Sequence, residues 1–240
     1  MSKSPEAPPT ILALGAHPDD IEFGCGGVLL QAAARRSAIH LLVCTKGEAA
    51  SHGSPLEREA ESQVAAGMLG AQLRFLALEG DSHLEPTVDG AVAMARILRE
   101  VRPAVLLAPT AEPNQHPDHV AVARMARDAA RLARYGGLDE LSALAPHAIR
   151  HLLHYAITPG AEPARAHGIR IDISSVREAW EELMRCHGSQ MGTRPYVDLQ
   201  LARARTWGLE GGVAYAQALF PADPLVFGGI DELGGAARAF

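Results

Sequence analysis

Cysteine is scarce in this sequence and does not occur in pairs. Cys25, Cys44 and Cys186 are widely spaced among 240 residues, with no CxxC. That pattern excludes a disulfide framework and matches reduced thiols, the state expected of a cytoplasmic protein. Long apolar runs are missing as well; no stretch approaches the roughly 20 residues of a membrane span. Basic runs are absent and the formal net charge is −6, which argues against nucleic acid or an anionic membrane as partner. A GxGxxG fingerprint is lacking too. Gly24-Cys25-Gly26-Gly27 does not match it, and Asp19 and Asp20 stand where a pyrophosphate would have to approach. Met1 to Pro9 is polar and proline-rich, with no apolar signal segment, and reads as a frayed tail. With no internal repeat and no linker to divide it, residues 1–240 read as one domain.

What is present is an alternation of short apolar runs and helical stretches. Thr10–Ala16, Ile39–Cys44, Leu73–Leu78 and Val105–Ala108 read as buried strands. Between and after them, helices are predicted over Val28–Arg36, Leu56–Leu69 (stopped by Gly70), Val88–Val101 and about Val120–Arg134. Such alternation builds parallel βαβ units. The expected fold is therefore α/β, a Rossmann-like three-layer sandwich with a mainly parallel sheet. The second half is less regular. Strands are predicted at His151–Ile157 and Ile169–Ile173, and helices at Ser175–Arg185, capped by Ser174, and Tyr196–Thr206. The Gly- and Ala-rich end from Leu225 reads as an interface arm or a disordered segment.

Two clusters stand just past strand ends. The first apolar run leads into His17-Pro18-Asp19-Asp20, and the fourth leads, through Thr110–Gln115, into His116-Pro117-Asp118-His119. Adjacent carboxylates repel, and desolvation raises their cost. A divalent cation relieves both problems, and His with Asp suits zinc. Alone, the first cluster could equally be a polar turn in which Asp20 caps the next helix. Two such clusters at the ligand-binding edge of one parallel sheet are hard to read as coincident turns.

The paired motifs resemble the LmbE/PIG-L family of zinc-dependent de-N-acetylases. The resemblance extends through Thr45-Lys46-Gly47-Glu48, Arg58 with Glu61, Leu69-Gly70, Asp172-Ile173-Ser174, His187 with Ser189-Gln190, and Gly212–Ala216. It implies one zinc ion per chain, or another divalent transition metal such as iron or cobalt, held by His17, Asp20 and His119. It leaves Asp19 as general base, and His116 as oxyanion stabiliser once protonated, with Asp118 holding that imidazole. A helix-capping role for Asp19 and a turn-forming role for Asp118 are the structural alternatives. Arg58, Asp81 and Glu48 are candidates for contacting a sugar. Against them stand a surface salt bridge of Arg58 with Glu57 or Glu61, and solvated loop acids.

The implied substrate is an N-acetylglucosamine-type conjugate, such as N-acetylglucosaminyl malate of bacillithiol synthesis. The implied assembly is a homo-oligomer, a trimer or hexamer. A non-catalytic sugar- or nucleotide-binding module on the same fold is the rival from another class. Three positions depart from the family pattern: Trp180 replaces a lysine, Gln217 a glutamate, and Asn114 a tyrosine found in some members.

Overall fold

The central strands carry apolar side chains on both faces, and this sets the layering. In β1 (Ile11–Gly15), Ile11 and Ala13 pack on one side of the sheet, and Leu12 and Leu14 on the other. A strand buried on both faces needs helices on both sides. A computed structural model, describing residues 7–163, 168–192, 194–230 and 233–234, shows that arrangement. Most of the expected N-terminal tail, and residues 231–232 and 235–240 of the Gly- and Ala-rich end, lie outside the described residues.

The remaining strands are β2 (Ile39–Val43), β3 (Gln72–Phe75), β4 (Val105–Pro109), β5 (His151–Tyr155), β6 (Ile169–Asp172) and β7 (Ala216–Pro221). They form one seven-stranded sheet in the order β3-β2-β1-β4-β5-β7-β6. The first five are parallel, and β7 runs antiparallel between β5 and β6. Four helices cover the Ile11 face: α1 (Asp20–Ala34), α2 (Pro55–Leu69), α5 (Arg177–Arg185) and α6 (Tyr196–Glu210). The Leu12 face is covered by α3 (Val88–Val101) and α4 (Pro117–Arg134). The chain runs outward from β1 to β3 and then returns to β4 on β1's other side. The switch point therefore lies between β1 and β4, where such sheets open a crevice at their carboxyl ends.

Strand β7 was not foreseen. Its Ala216-Gln217-Ala218 start has neither β-branched nor aromatic residues, and pairing with β5 and β6 supplies what local propensity does not. Ser174 does not cap α5. It sits in a 3-10 turn, and its hydroxyl donates to Asp172 Oδ1 at 2.6 Å.

The larger correction concerns α1, which begins at Asp20 rather than Val28. Three interior glycines, each costing about 1 kcal/mol in a helix, argued against that start. Tertiary packing overrides the propensity. A Cβ on Gly24 would overlap the Tyr155 ring, one on Gly26 would press on Leu183 and Trp180, and one on Gly27 would press on Ile173 and Gln217.

Two departures from the family pattern gain a role here. Trp180 is buried on this helix and donates to Glu22 O at 2.8 Å. Gln217 accepts from Val28 N at 2.9 Å and donates to Gly24 O at 3.3 Å, bridging a donor and acceptor four residues apart. An amide can do both; an ionised carboxylate can only accept.

Candidate active site

Three imidazoles meet at the switch point. The ring centroids of His17, His116 and His119 are 5.1, 5.3 and 5.4 Å apart, and each ring offers a nitrogen within 4.8 Å of the others. Asp20 ties two of them together. Its Oδ1 is 3.0 Å from His119 Nε2, and its Oδ2 is 3.6 Å from His17 Nδ1. The same Oδ2 accepts the amides of Ala16 and His17, both at 2.8 Å. Asp20 thus reaches back into the loop and does not cap the helix. Its charges are well matched. Burial pushes its carboxyl up, but His119 and His17 outweigh that and hold it well below the usual carboxylate range.

Asp19 occupies the N-cap position of α1 with no capping bond from its side chain, so the helix-capping alternative fails. Its backbone is left-handed, at φ 105. A non-glycine residue held there costs on the order of 1–3 kcal/mol, a strain that clusters at functional sites. Burial, then the charge of Asp20, raises its carboxyl from 3.8 to about 6, against the opposing pull of Arg58, His187 and His17.

Arg58 is a buried side chain, not a surface salt bridge with Glu57 or Glu61. Its Nη2 donates to Pro18 O at 2.6 Å and lies 3.5 Å from Asp19 Oδ2. The α2 capping box of Ser54 and Glu57 sets the helix that carries it. Gly47 makes room for it, since a Cβ there would overlap the guanidinium. Glu61 is engaged elsewhere, accepting Ser189 N at 2.6 Å and Ser189 Oγ at 2.7 Å.

The expected role of Asp118 needs correction. Its carboxylate does not hold His116. It is fully buried and accepts from His17 Nε2 at 3.1 Å, Ser82 N at 2.7 Å and Leu84 N at 3.1 Å. Burial would raise its carboxyl, but these three donors lower it overall. His116 is also different from the expectation. It caps α4, its Nδ1 accepting the Asp118 amide at 3.3 Å, and the residue is exposed. Desolvation and the neighbouring imidazoles His17 and His119 lower its pKa, so it is neutral rather than protonated near pH 7.

Asp81, a candidate for contacting a sugar, is drawn into this cluster. Its Oδ2 accepts Ala49 N at 2.5 Å, and its Oδ1 lies 3.0 Å from His17 Nε2. The His17 contact lowers its carboxyl to about 2. That one N–H is directed at Asp118, which leaves Asp81 Oδ1 buried without a donor of its own. Glu48 stays outside, exposed, and accepts Lys46 N at 3.1 Å. Asn114, where some family members have tyrosine, donates to Pro159 O at 2.9 Å.

Sequence reasoning missed the tether formed by the Ser82 and Leu84 amides, because backbone donors leave no residue signature. It also left out the buried pair of His187 and Glu22, 3.4 Å apart beneath the site.

The cluster fits a divalent cation on its own chemistry. Three carboxylates, Asp20, Asp81 and Asp118, contact the imidazoles of His17 and His119, the His116 ring stands beside them, and His119 Nδ1 is buried with no partner. Burial opposes a charge on His17, yet Asp118, Asp20 and Asp81 outweigh it and push the imidazole up to about 12.

The chain resembles known proteins in both sequence and fold. A family model described as PIG-L, GlcNAc-PI de-N-acetylase, matches residues 12–130, which include both His/Asp motifs. The diacetylchitobiose deacetylase of Thermococcus kodakarensis is 28% identical over 196 residues, spanning 75% of this chain and 69% of its own. The solved structure of the conserved protein TT1542 from Thermus thermophilus is 32% identical. It superposes with a TM-score of 0.82 and covers 91% of this chain and 97% of that one. A 4-carboxy-2-hydroxymuconate hydratase from Pseudomonas putida shares the fold at a TM-score of 0.79 and 19% identity, covering 92% of this chain and 99% of that one. The fold alone therefore does not choose the reaction.

Proposed function

This chain belongs to the PIG-L family, and from that premise we propose that it is a metal-dependent hydrolase removing the N-acetyl group of an N-acetylglucosamine-type conjugate. The observation that carries the reading is Asp19. A strained carboxylate with its pKa raised to about 6 stands beside a His/Asp donor set and is bound to none of it.

Within this proposal His17, Asp20 and His119 hold the cation, zinc in the first instance. His17 Nε2 is committed to Asp118, which leaves Nδ1 on the Asp20 side for the metal. Asp118 and Asp81 then act as the carboxylates that orient a ligating imidazole from behind. When bound, such a cation polarises a carbonyl and lowers the pKa of water it holds towards about 7. Asp19 takes the proton from the attacking water as the oxygen–carbon bond forms. It delivers that proton to the amine nitrogen as the carbon–nitrogen bond breaks, releasing acetate and the free amino sugar. Arg58 keeps the Asp19 loop in place and its carboxylate ionised near neutrality. His116 Nδ1 accepts a backbone amide, so the ring's proton sits on Nε2, a neutral donor for the developing oxyanion.

The test is acetate release from a panel of N-acetylglucosamine conjugates, including diacetylchitobiose, the inositol glycoside and the malate glycoside. Metal-stripped and zinc-reconstituted enzyme would be compared. Chelator-sensitive release from at least one conjugate supports the proposal. Absence of release across the panel, from enzyme shown to carry metal, overturns it in favour of a binding module. Trimeric or hexameric assembly and a cytoplasmic location belong to the same proposal.

A further inference from the structure

Residues 187–190 carry a motif, His187 with Ser189-Gln190, to which the hydrolytic reading gives no task. This stretch, which includes the 3-10 turn Gly188–Gln190, touches both helices that hold Asp19. On the α1 side, Nε2 of the fully buried His187 ring lies 3.4 Å from Glu22 Oε2, in the first turn of the helix that Asp19 opens. On the α2 side, one residue occupies both carboxylate oxygens of Glu61. Oε1 accepts Ser189 N at 2.6 Å, and Oε2 accepts Ser189 Oγ at 2.7 Å. Gln190 adds a tie to the loop before α2, its Nε2 donating to His52 O at 2.9 Å and to Ser189 Oγ at 3.0 Å.

Ser189 and Arg58 flank a single glycine. A Cβ on Gly53 would lie 2.7 Å from Ser189 Cβ and Oγ, and 3.1 Å from Arg58 Cγ. Glu61 stands three residues after Arg58, one turn along the same helix face. The serine therefore braces the stem of Arg58 from two directions, through the Gly53 backbone and through Glu61. The far end of Arg58 meets the active-site loop, at Pro18 O and near Asp19 Oδ2. A left-handed residue with a side chain, such as Asp19, persists only where its surroundings over-determine it. The Asp19 side chain makes no capping bond, so the restraint has to come from α1, α2 and whatever ties them together.

We propose that Ser189 is a positioning residue for the hydrolytic reaction, acting through Arg58 to hold the Asp19 loop in its working place. The inference rests on the hydrolytic reading of the site. Serine suits the task because its N–H and O–H form a pair of donors matched to the two oxygens of one carboxylate, and bonds to an ionised acceptor are the strong ones. A stretch 128 positions along the chain from Glu61 thereby sets where the proposed base stands.

The experiment compares zinc-loaded wild type, S189A, R58K and S189A/R58K for acetate release from the conjugates named above. Hydrogen exchange of the same proteins is read over residues 16–23 and over α3. S189A is expected to lose about ten- to a hundredfold in kcat, with KM and metal per chain unchanged. Because both side chains act through one guanidinium, S189A/R58K should be no slower than R58K. Exchange over residues 16–23 should be faster in S189A than in wild type, while exchange over α3 stays the same. T206A, which removes an exposed hydroxyl bonded within α6, is the control and should match wild type. A wild-type kcat in S189A, a loss that adds in full to that of R58K, or unaltered exchange over residues 16–23 would each overturn the proposal. The exchange measurement needs no turnover. It still decides whether Ser189 holds the loop if wild type cleaves none of the conjugates, which is the result that sinks the hydrolytic reading itself.

Discussion

The two motifs open with the same three residues, His-Pro-Asp, at the same edge of the sheet, yet their aspartates end in opposite states. Asp19 is strained, keeps 19% of its side chain exposed, and has the Arg58 guanidinium 3.5 Å from its carboxylate. Its pKa rises to about 6. Asp118 is fully buried, accepts three hydrogen bonds, and has its pKa lowered. The register of each motif against its helix explains the difference. In the first, helix α1 starts only at the fourth residue, leaving Asp19 at the N-cap in a left-handed conformation. In the second, His116 is itself the cap, Pro117 occupies the first helical position, and Asp118 is already inside the helix. Two carboxylates whose surroundings push them apart are what acid–base chemistry requires. One is kept available to protons, and the other is kept ionised to hold a ligand.

The largest expected effect breaks the first side of that contrast. Asp19→Asn should lower turnover by roughly 10²–10⁴-fold while elemental analysis still finds metal. Metal loss in that variant would exchange its role with Asp20. His119→Ala should lose the metal itself.

Asp118→Asn tests the other side. It removes the charge behind His17, so metal affinity should fall about 10–100-fold, with turnover largely recovered at saturating metal. If turnover stays low in the fully loaded enzyme, Asp118 belongs to the chemistry and not to positioning.

Acid–base linkage sharpens the contrast further, because the two groups carry opposite signs. Asp19 has its folded pKa raised from 3.8 to about 6, so its contribution to stability is present below about pH 4 and lost as pH rises through 6. Asp118 is lowered, so its contribution is present above the unfolded value and lost as pH falls. In metal-free protein, Asp19→Asn should therefore melt higher than wild type above pH 6, a gain that disappears below pH 4. The wild-type kcat/KM should fall on the acid side as Asp19 gains its proton.

Gly47→Ala comes next. The added methyl overlaps Arg58, and the position has φ +72, so a loss of about 1–3 kcal/mol is expected, measurable by denaturant melt, with turnover falling as the Asp19 loop loosens. Glu48→Gln is the smallest. Its exposed carboxylate accepts Lys46 N, and stability should change by less than about 0.5 kcal/mol, with KM unchanged.

Legibility followed the range of the interactions. The β1–β4 alternation and helix α3, found over Val88–Val101 as expected, could be read because apolar periodicity and punctuation by Pro and Gly are local signals. The start of α1 could not, since three glycines oppose it locally and Tyr155, Trp180 and Gln217 favour it from far along the chain. Strand β7 was hidden for the same reason.

By itself the sequence determined which residue types arrive at the carboxyl edge of the parallel sheet, because alternating strands and helices bring every first-half strand end there. Which imidazole each carboxylate holds was decided only in three dimensions. Asp118 reaches His17 across 101 positions of chain, and Arg58 reaches Pro18 across 40. Partners that distant are chosen by packing and hydrogen-bond geometry, and neighbouring letters carry no record of that choice.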